Sequence, residues 1–216
     1  QGDVAVEDYI NKGYLKESLI HFVALLGWHE SNNKEFYSIQ DLIKAFSLER
    51  VQNSGAVFDM AKLNWLNNQY IKKQSNKDII KLSNNYIPTQ WEITEDMVEL
   101  VKDKLEKLSD LKDEVSIFFN NPKINPNFLI EKFPEYNNSS LILKTAIQEF
   151  EKIDVFDKNT FKKIMSNIQN ISTCQSKELW QTIRFCLTGQ IHGPDLASFI
   201  EILGIKKCIS RFKNAL

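Results

Sequence analysis

Apolar residues recur at steps of three and four through almost every segment of this chain, and nowhere do two alternating β-branched runs meet across a hairpin turn. Such a pattern gives helices a buried stripe and leaves strands no place, so the expected class is all-α. Leu15, Leu19, Phe22, Val23 and Leu26 form one stripe, which Gly27 would end as a left-handed cap, and Gly13 would end the short helix before it. Ser38, with Asp41 three residues on, opens a helix carrying Ile39, Leu42, Ile43 and Phe46. Thr94 would cap one long helix in which Met97, Val101, Leu105, Leu108, Leu111, Val115 and Phe118 continue a single stripe. Helices are expected around residues 141–150, 157–168 and 176–187, the last closed by Gly189. Pro194 at a first helical position would restart the chain, Gly204 would stop it, and a basic helix would finish it.

Two breakers divide this pattern. Residues 74–90 are rich in Asn, Lys and Ser and end near Pro88, which suits a connection with at most one short helix. Around Asn120-Asn121-Pro122 and Asn125-Pro126-Asn127 each proline disfavours helix in the residue before it. Three domains follow, over residues 1–75, 76–125 and 126–216. A chain of 216 residues that is 43% hydrophobic can supply their cores. No run of roughly eighteen apolar residues marks a membrane span. Gln1-Gly2-Asp3-Val4 resembles neither a signal peptide nor a natural start, so the sequence reads as beginning inside a longer protein.

The formal net charge of −1 gives no overall support to nucleic-acid binding, but its distribution is uneven. Residues 126–216 carry 12 basic and 9 acidic groups, and Lys206, Lys207, Arg211 and Lys213 close the chain with no acid among them. Such a run suits RNA, and it equally suits the C-terminus of a helix. Cys174, Cys186 and Cys208 are odd in number and show no C-x-x-C spacing, so neither a disulfide framework nor a metal site is encoded and a reduced, cytoplasmic protein is expected. His192 near Cys186 does not make a ligand set, and Cys186 reads as a small core residue. His21, between Ile20 and Phe22, reads as a packed histidine. No phosphate-cradling glycine loop, H-E-x-x-H or G-x-S-x-G is present, so no catalytic residue is assigned.

The stretch FDMAKLNWLNNQYI, residues 58–71, puts two surfaces on one short helix. Asp59 would cap it, and Met60, Leu63, Leu66 and Tyr70 would build its buried stripe. Lys62, Trp65, Gln69 and Lys72 fall on the other face, placing an indole between two ammonium groups with an amide nearby. Cations that neutralise phosphate, beside flat and amide side chains that meet ribose and base, suit a helix pressed on a nucleic-acid backbone. The spacing alone serves equally a core tryptophan between solvated lysines.

Three segments, DVAVEDYINKGYLKESLIHFVALLGW, SGAVFDMAKLNWLNNQYI and IRFCLTGQIHGPDLASFIEILGIKKCISRF, lie in order along nearly the whole chain. In them the sequence resembles the C-terminal half of the bacterial glutamyl-tRNA synthetases. In that family the ATP-binding fold and its two signature motifs precede the matching residues. The resemblance therefore implies no active site and no cofactor in this chain, with ATP and Mg²⁺ belonging to the full-length glutamate–tRNA ligase. It implies a helical stem-contact domain followed by two small helical anticodon-binding domains. The implied partner is the glutamate tRNA, tRNA(Glu), and the implied form is a monomer with no membrane association.

By the same resemblance, Lys62, Trp65 and Lys72 stand where the family sets a lysine, a tryptophan and a basic residue against the tRNA backbone. Lysine at 72 keeps the charge and loses the planar fork of the arginine often found there. Arg184 matches an anticodon-contacting arginine, and Gly193, Pro194 and Leu196 match the loop that packs on the bases. Gly193 replaces a residue that is threonine in some members, which removes a hydroxyl contact. A surface ion-pair role for Arg184 and a helix-start role for Pro194 remain open beside this. Lys104, in VKDKLEKL, aligns with an arginine that reads the third anticodon base in members specific for tRNA(Glu). A lysine is a point charge that tolerates more than one base, which implies acceptance of the glutamine tRNA, tRNA(Gln), as well. An exposed lysine on a long helix is the plainer alternative at that position. The reading from another class is a non-catalytic helical protein-interaction module, supported by the neutral charge and lacking the fixed repeat a solenoid needs.

Overall fold

The computed structural model of the protein describes residues 5–28, 35–51, 57–125 and 128–216, and every regular element among them is helical. Gln1-Gly2-Asp3, the residues 54–56 that lead into the two-faced helix, and Pro126-Asn127 of the second breaker lie outside the described residues. Among the described residues no helix is long and apolar enough to cross a membrane. Two compact units emerge, Gln1–Val115 and Ser116–Leu216. The three-part division expected from the breakers is finer: its first boundary falls inside the first unit and its second inside the second.

The first unit holds α1 (Val6–Asn11), α2 (Lys16–Gly27), α3 (Ile39–Ala45), α4 (Met60–Lys72), α5 (Asn76–Ser83) and α6 (Glu95–Val101). Ser38, Asp59, Ser75 and Thr94 each accept from the backbone amide three residues on, at Asp41, Lys62, Asp78 and Met97. Each such cap contributes about 1 kcal/mol to a helix too short to stand alone. Leu19 and Phe22 of α2, with Tyr14, pack on Leu63 and Leu66 of α4, and Trp28, Tyr37 and Leu42 form a second cluster. Val23 and Met60, placed above in buried stripes, are exposed. Gly13 adopts φ +95°, which it needs, because a Cβ there would lie 2.7 Å from the Ser109 backbone nitrogen. Gly27 is not a left-handed cap: it is the last residue of α2, and the chain leaves extended at Trp28, whose indole turns into the core beside Tyr37. Val6, Ile20, Val23, Ile43, Phe46 and Val51 line an open groove of about 810 Å³, and among the described residues Lys16 is the one charged group in its lining.

The long helix expected from Thr94 to Phe118 is broken. α6 stops at Val101, 3-10 turns occupy Lys102–Lys104 and Leu108–Asp110, and α7 (Leu111–Phe119) then carries the chain from the first unit into the second. Neither proline nor glycine makes the break. Its freed carbonyls go to side-chain amides of α4: Asn68 donates to the Asp103 and Leu105 oxygens at 3.0 and 2.9 Å, and Asn67 to the Glu106 oxygen at 2.6 Å. Asn64 donates to the Glu106 carboxylate at 2.7 Å, and the Leu108 amide to the Gly13 carbonyl at 2.9 Å. Val101, Leu105, Leu108, Leu111 and Val115 stay buried, so the stripe survives while the helix does not.

Asn67 is 0% exposed, and its oxygen also accepts from the Leu15 amide at 2.9 Å and the Ser18 hydroxyl at 2.7 Å. His21 is equally buried. Its Nδ1 lies 3.1 Å from the Tyr70 hydroxyl, which itself donates to the Tyr37 carbonyl at 2.9 Å, so the proton belongs on Nδ1 and Nε2 is left as a bare, unpartnered nitrogen. Burial, with the Lys62 ammonium adding, pushes this imidazole down from 6.5 to about 4.

In the second unit, α9 (Ser139–Phe150) packs against α10 (Lys158–Ser172), α11 (Ser176–Thr188) and α13 (Ile205–Asn214), with α12 (Leu196–Leu203) on α13 and the short α8 (Phe128–Lys132) before them. Phe118 meets Phe199 at 4.9 Å between ring centroids and Phe150 meets Phe212 edge-on at 5.2 Å. Arg211 is buried and donates to the Leu187 carbonyl in the last turn of α11 and to the Asn120 carbonyl. The closing cations therefore do not form one patch: Arg211 is structural and Lys213 pairs with Glu151 at 3.0 Å, while Lys206 and Lys207 are exposed.

Asn67→Leu keeps the number of side-chain heavy atoms and deletes both ends of the clamp, stranding the Leu15 amide and the Glu106 carbonyl, so it should cost about 3 kcal/mol in urea unfolding. His21 gives a second outcome. The unfolded imidazole takes a proton near pH 6.5 and the folded one only near pH 4, so stability falls as pH falls through that window, by at most about 1.4 kcal/mol per pH unit. His21→Gln should flatten that slope between pH 6.5 and 5, as read from urea midpoints across pH.

Candidate nucleic-acid interface

Because α4 buries Leu63, Leu66, Asn67, Tyr70 and Ile71 and grips the chain break with Asn64 and Asn68, one stripe of it is left open. That stripe holds Lys62, Trp65, Gln69 and Lys72, as the spacing requires. Trp65 is 41% exposed and edge-on to Phe36 at 6.4 Å, so it is not a core tryptophan. Lys73 lies beside the stripe, its ammonium 4.2 Å from the Phe36 ring centre. Lys62 sits 3.9 Å from Glu35, and Lys72 sits 3.3 Å from Asp103. Both carboxylates are exposed, and pairs of that kind contribute about 0–1 kcal/mol, so a phosphate can displace them at little cost.

Lys104 ends the 3-10 turn that follows α6, not the middle of a long helix. Its ammonium is 3.5 Å from Glu114. The Asn68 amide holds the carbonyls of Asp103 and Leu105 on either side of it, so the backbone that presents Lys104 is fixed to α4.

In the second unit, Arg184, Gly193 and Pro194 come together. Arg184 is half-buried on α11 and donates to the Pro194 carbonyl at 2.5 Å. A Cβ on Gly193 would lie 3.3 Å from the Arg184 Nη1, so glycine leaves the guanidinium room against the loop. Pro194 is not the first helical residue. Asp195 is the N-cap of α12, accepting from the Ser198 amide and hydroxyl at 2.9 Å each, and Pro194 precedes it. Those Ser198 bonds hold the Asp195 carboxyl below its usual range, with Lys158 and Arg184 adding, while burial lowers the Arg184 guanidinium. Leu196 opens α12 and is buried, as is Pro194, so the exposed residues of this loop are Gly193 and Asp195. The guanidinium thus ties α11 to the loop through one of its five N–H donors.

Trp180, one turn before Arg184, and Lys158, at the start of α10 and electrostatically close to Asp195, also stand near this loop. Neither belongs to the residues that the family resemblance singles out, although the signal of Trp180 is local. No group of three or more His, Cys, Asp or Glu among the described residues could hold a metal ion. The three cysteines are free and buried, and burial pushes the thiols of Cys186 and Cys208 up to about 12, which makes them poor nucleophiles.

The chain matches known proteins over its whole length. A family model described as an anticodon binding domain covers residues 58–216, and one described as the catalytic domain of class I tRNA synthetases (E and Q) covers residues 2–65. The glutamate–tRNA ligase of Alkaliphilus metalliredigens is 37% identical over 99% of the chain, and that of Clostridioides difficile 35% identical over 98%. The chain spans 45% of each of those relatives, a little under half their length. A crystal structure of a glutamate tRNA ligase from Elizabethkingia meningosepticum, in complex with its amino acid, superposes with a TM-score of 0.84 at 25% identity, over 96% of this chain and 42% of that one.

Proposed function

We propose that this chain, which belongs to the anticodon-binding-domain family, is the tRNA-seating half of a glutamate–tRNA ligase. The observation that carries the reading is the open stripe of α4: a helix buried or hydrogen-bonded on its other faces turns two lysines, a tryptophan and a glutamine outward, within the residues matched by the anticodon-binding model. Lys62, Trp65 and Lys72 lie along the tRNA sugar-phosphate backbone and set its register without reading sequence. Arg184, with the loop that holds Gly193, Pro194 and Leu196, meets unstacked anticodon bases, as helical RNA-binding modules do with single strands. Lys104 faces the third anticodon base, where one ammonium accepts tRNA(Gln) beside tRNA(Glu).

The full-length enzyme joins glutamate to the tRNA 3′ end in the cytoplasm, as a monomer, at the expense of ATP. ATP and Mg²⁺ bind to its catalytic domain; the residues described above hold the RNA in register. The apolar groove supports a seat for that domain, since its lining runs from Val6 to Val51, inside the stretch matched by the catalytic-domain model, and the relatives are about twice as long as this chain. A helical protein-interaction module is the less favoured reading, because it gives the α4 stripe no task.

Binding of the chain to tRNA(Glu) should weaken linearly with log salt. Lys62→Ala or Lys72→Ala should each flatten that slope by about 1, and Arg184→Ala should weaken binding at every salt concentration. Absent or salt-insensitive binding would instead favour the interaction module. In aminoacylation by the full-length enzyme, wild type should charge both tRNAs, and Lys104→Arg should reduce charging of tRNA(Gln) about tenfold while sparing tRNA(Glu). A wild-type enzyme that ignores tRNA(Gln), or an unchanged ratio in the variant, would remove Lys104 from the reading of the third base.

A further inference from the structure

Eight of the thirteen residues of α11 are buried, which leaves Ser176, Lys177, Trp180, Gln181 and Arg184 as its open stripe. Most of that stripe is already engaged. Lys177 lies over the Phe133 ring at 5.4 Å, Gln181 accepts from the Tyr136 hydroxyl at 2.7 Å, and Arg184 holds the Pro194 carbonyl. Trp180 stands one turn before Arg184, on the same face, and is 40% exposed. Its ring is propped at 75° against the buried Phe161, with 5.6 Å between centroids, so it has one firm support and a large open surface. Phe161 belongs to the first turn of α10, whose first residue, Lys158, adds positive potential at Asp195 beside Arg184. An indole supported by an aromatic contact, open to solvent and one helical turn from a guanidinium, is the arrangement that unpaired bases stack on.

We propose that Trp180 is the stacking platform for one unpaired base of the anticodon loop, beside the donors of Arg184. This rests on the tRNA-binding reading given above. Stacking is indifferent to base identity, so Trp180 supplies affinity and holds the loop splayed, while Arg184 and the 193–196 loop meet base edges. The indole carries no charge, so its contribution does not depend on salt.

The probe is the isolated anticodon stem-loop of tRNA(Glu), as the intact hairpin and as a series with one loop base at a time removed to leave an abasic sugar. Trp180→Leu keeps an apolar side chain on Phe161 and removes the π face; it should weaken stem-loop binding about tenfold, within a range of roughly five- to hundredfold, with the salt slope unchanged. Trp180→Phe should recover most of that loss. One abasic position should weaken wild type by a similar factor and leave Trp180→Leu unaffected, identifying the stacked base. Equal binding by wild type and Trp180→Leu, or abasic losses that simply add to the substitution, would overturn the platform and leave the tRNA reading standing. Failure of wild type to bind either the stem-loop or the whole tRNA would overturn both. Circular dichroism of each variant separates lost stacking from lost folding, and if Trp180→Leu unfolds, Trp180→Phe and the abasic series on wild type decide the matter.

Discussion

The buried amide of Asn67 is the contact on which the first unit depends. Its oxygen takes the Leu15 amide and the Ser18 hydroxyl at the start of α2, and its nitrogen reaches the Glu106 carbonyl in the break after α6. One side chain thus satisfies polar backbone from two segments far apart in sequence, at a fully buried position. A buried amide is tolerable only when its partners are all present, so it specifies how α2, α4 and the break meet more sharply than the leucines around it can. Everything α4 turns outward is positioned by that inward grip.

Helix existence was legible because short-range rules decide it. The stripes and the Ser38, Asp59 and Thr94 caps each involve residues within a turn or two of one another. The break at Leu105 was hidden for the opposite reason: the apolar stripe runs straight through it, and the groups that stabilise the freed carbonyls, Asn67 and Asn68, lie more than thirty positions earlier. Gly27 misled because the pull of a buried Trp28 outweighs the convenience of a glycine cap. Thr173, a β-branched residue at φ +48° after α10, has no signature in the sequence at all.

The candidate site divides along the same line. The stripe of Lys62, Trp65, Gln69 and Lys72 could be drawn from spacing alone, since one helix carries it. That each of Lys62, Lys72 and Lys104 rests near a carboxylate needed coordinates, because Asp103 reaches Lys72 from another element. So did the separation of cations into two kinds. Arg211 is committed to the Leu187 and Asn120 carbonyls and cannot leave without stranding them, whereas the exposed lysines exchange partners at almost no cost. Composition counts the two alike; only the second kind can serve a polyanion.

The amides of Asn67 and Asn68 have a consequence beyond holding the break closed. They fasten the turn bearing Lys104 to the same helix that bears Lys62, Trp65 and Lys72, so the spacing between the stripe and Lys104 is a property of one rigid body. A ligand that touched both would be measured against a fixed calliper: one of the wrong length or bend could satisfy either end but not the two together. On the reading proposed above, shape would be tested before any base edge is read.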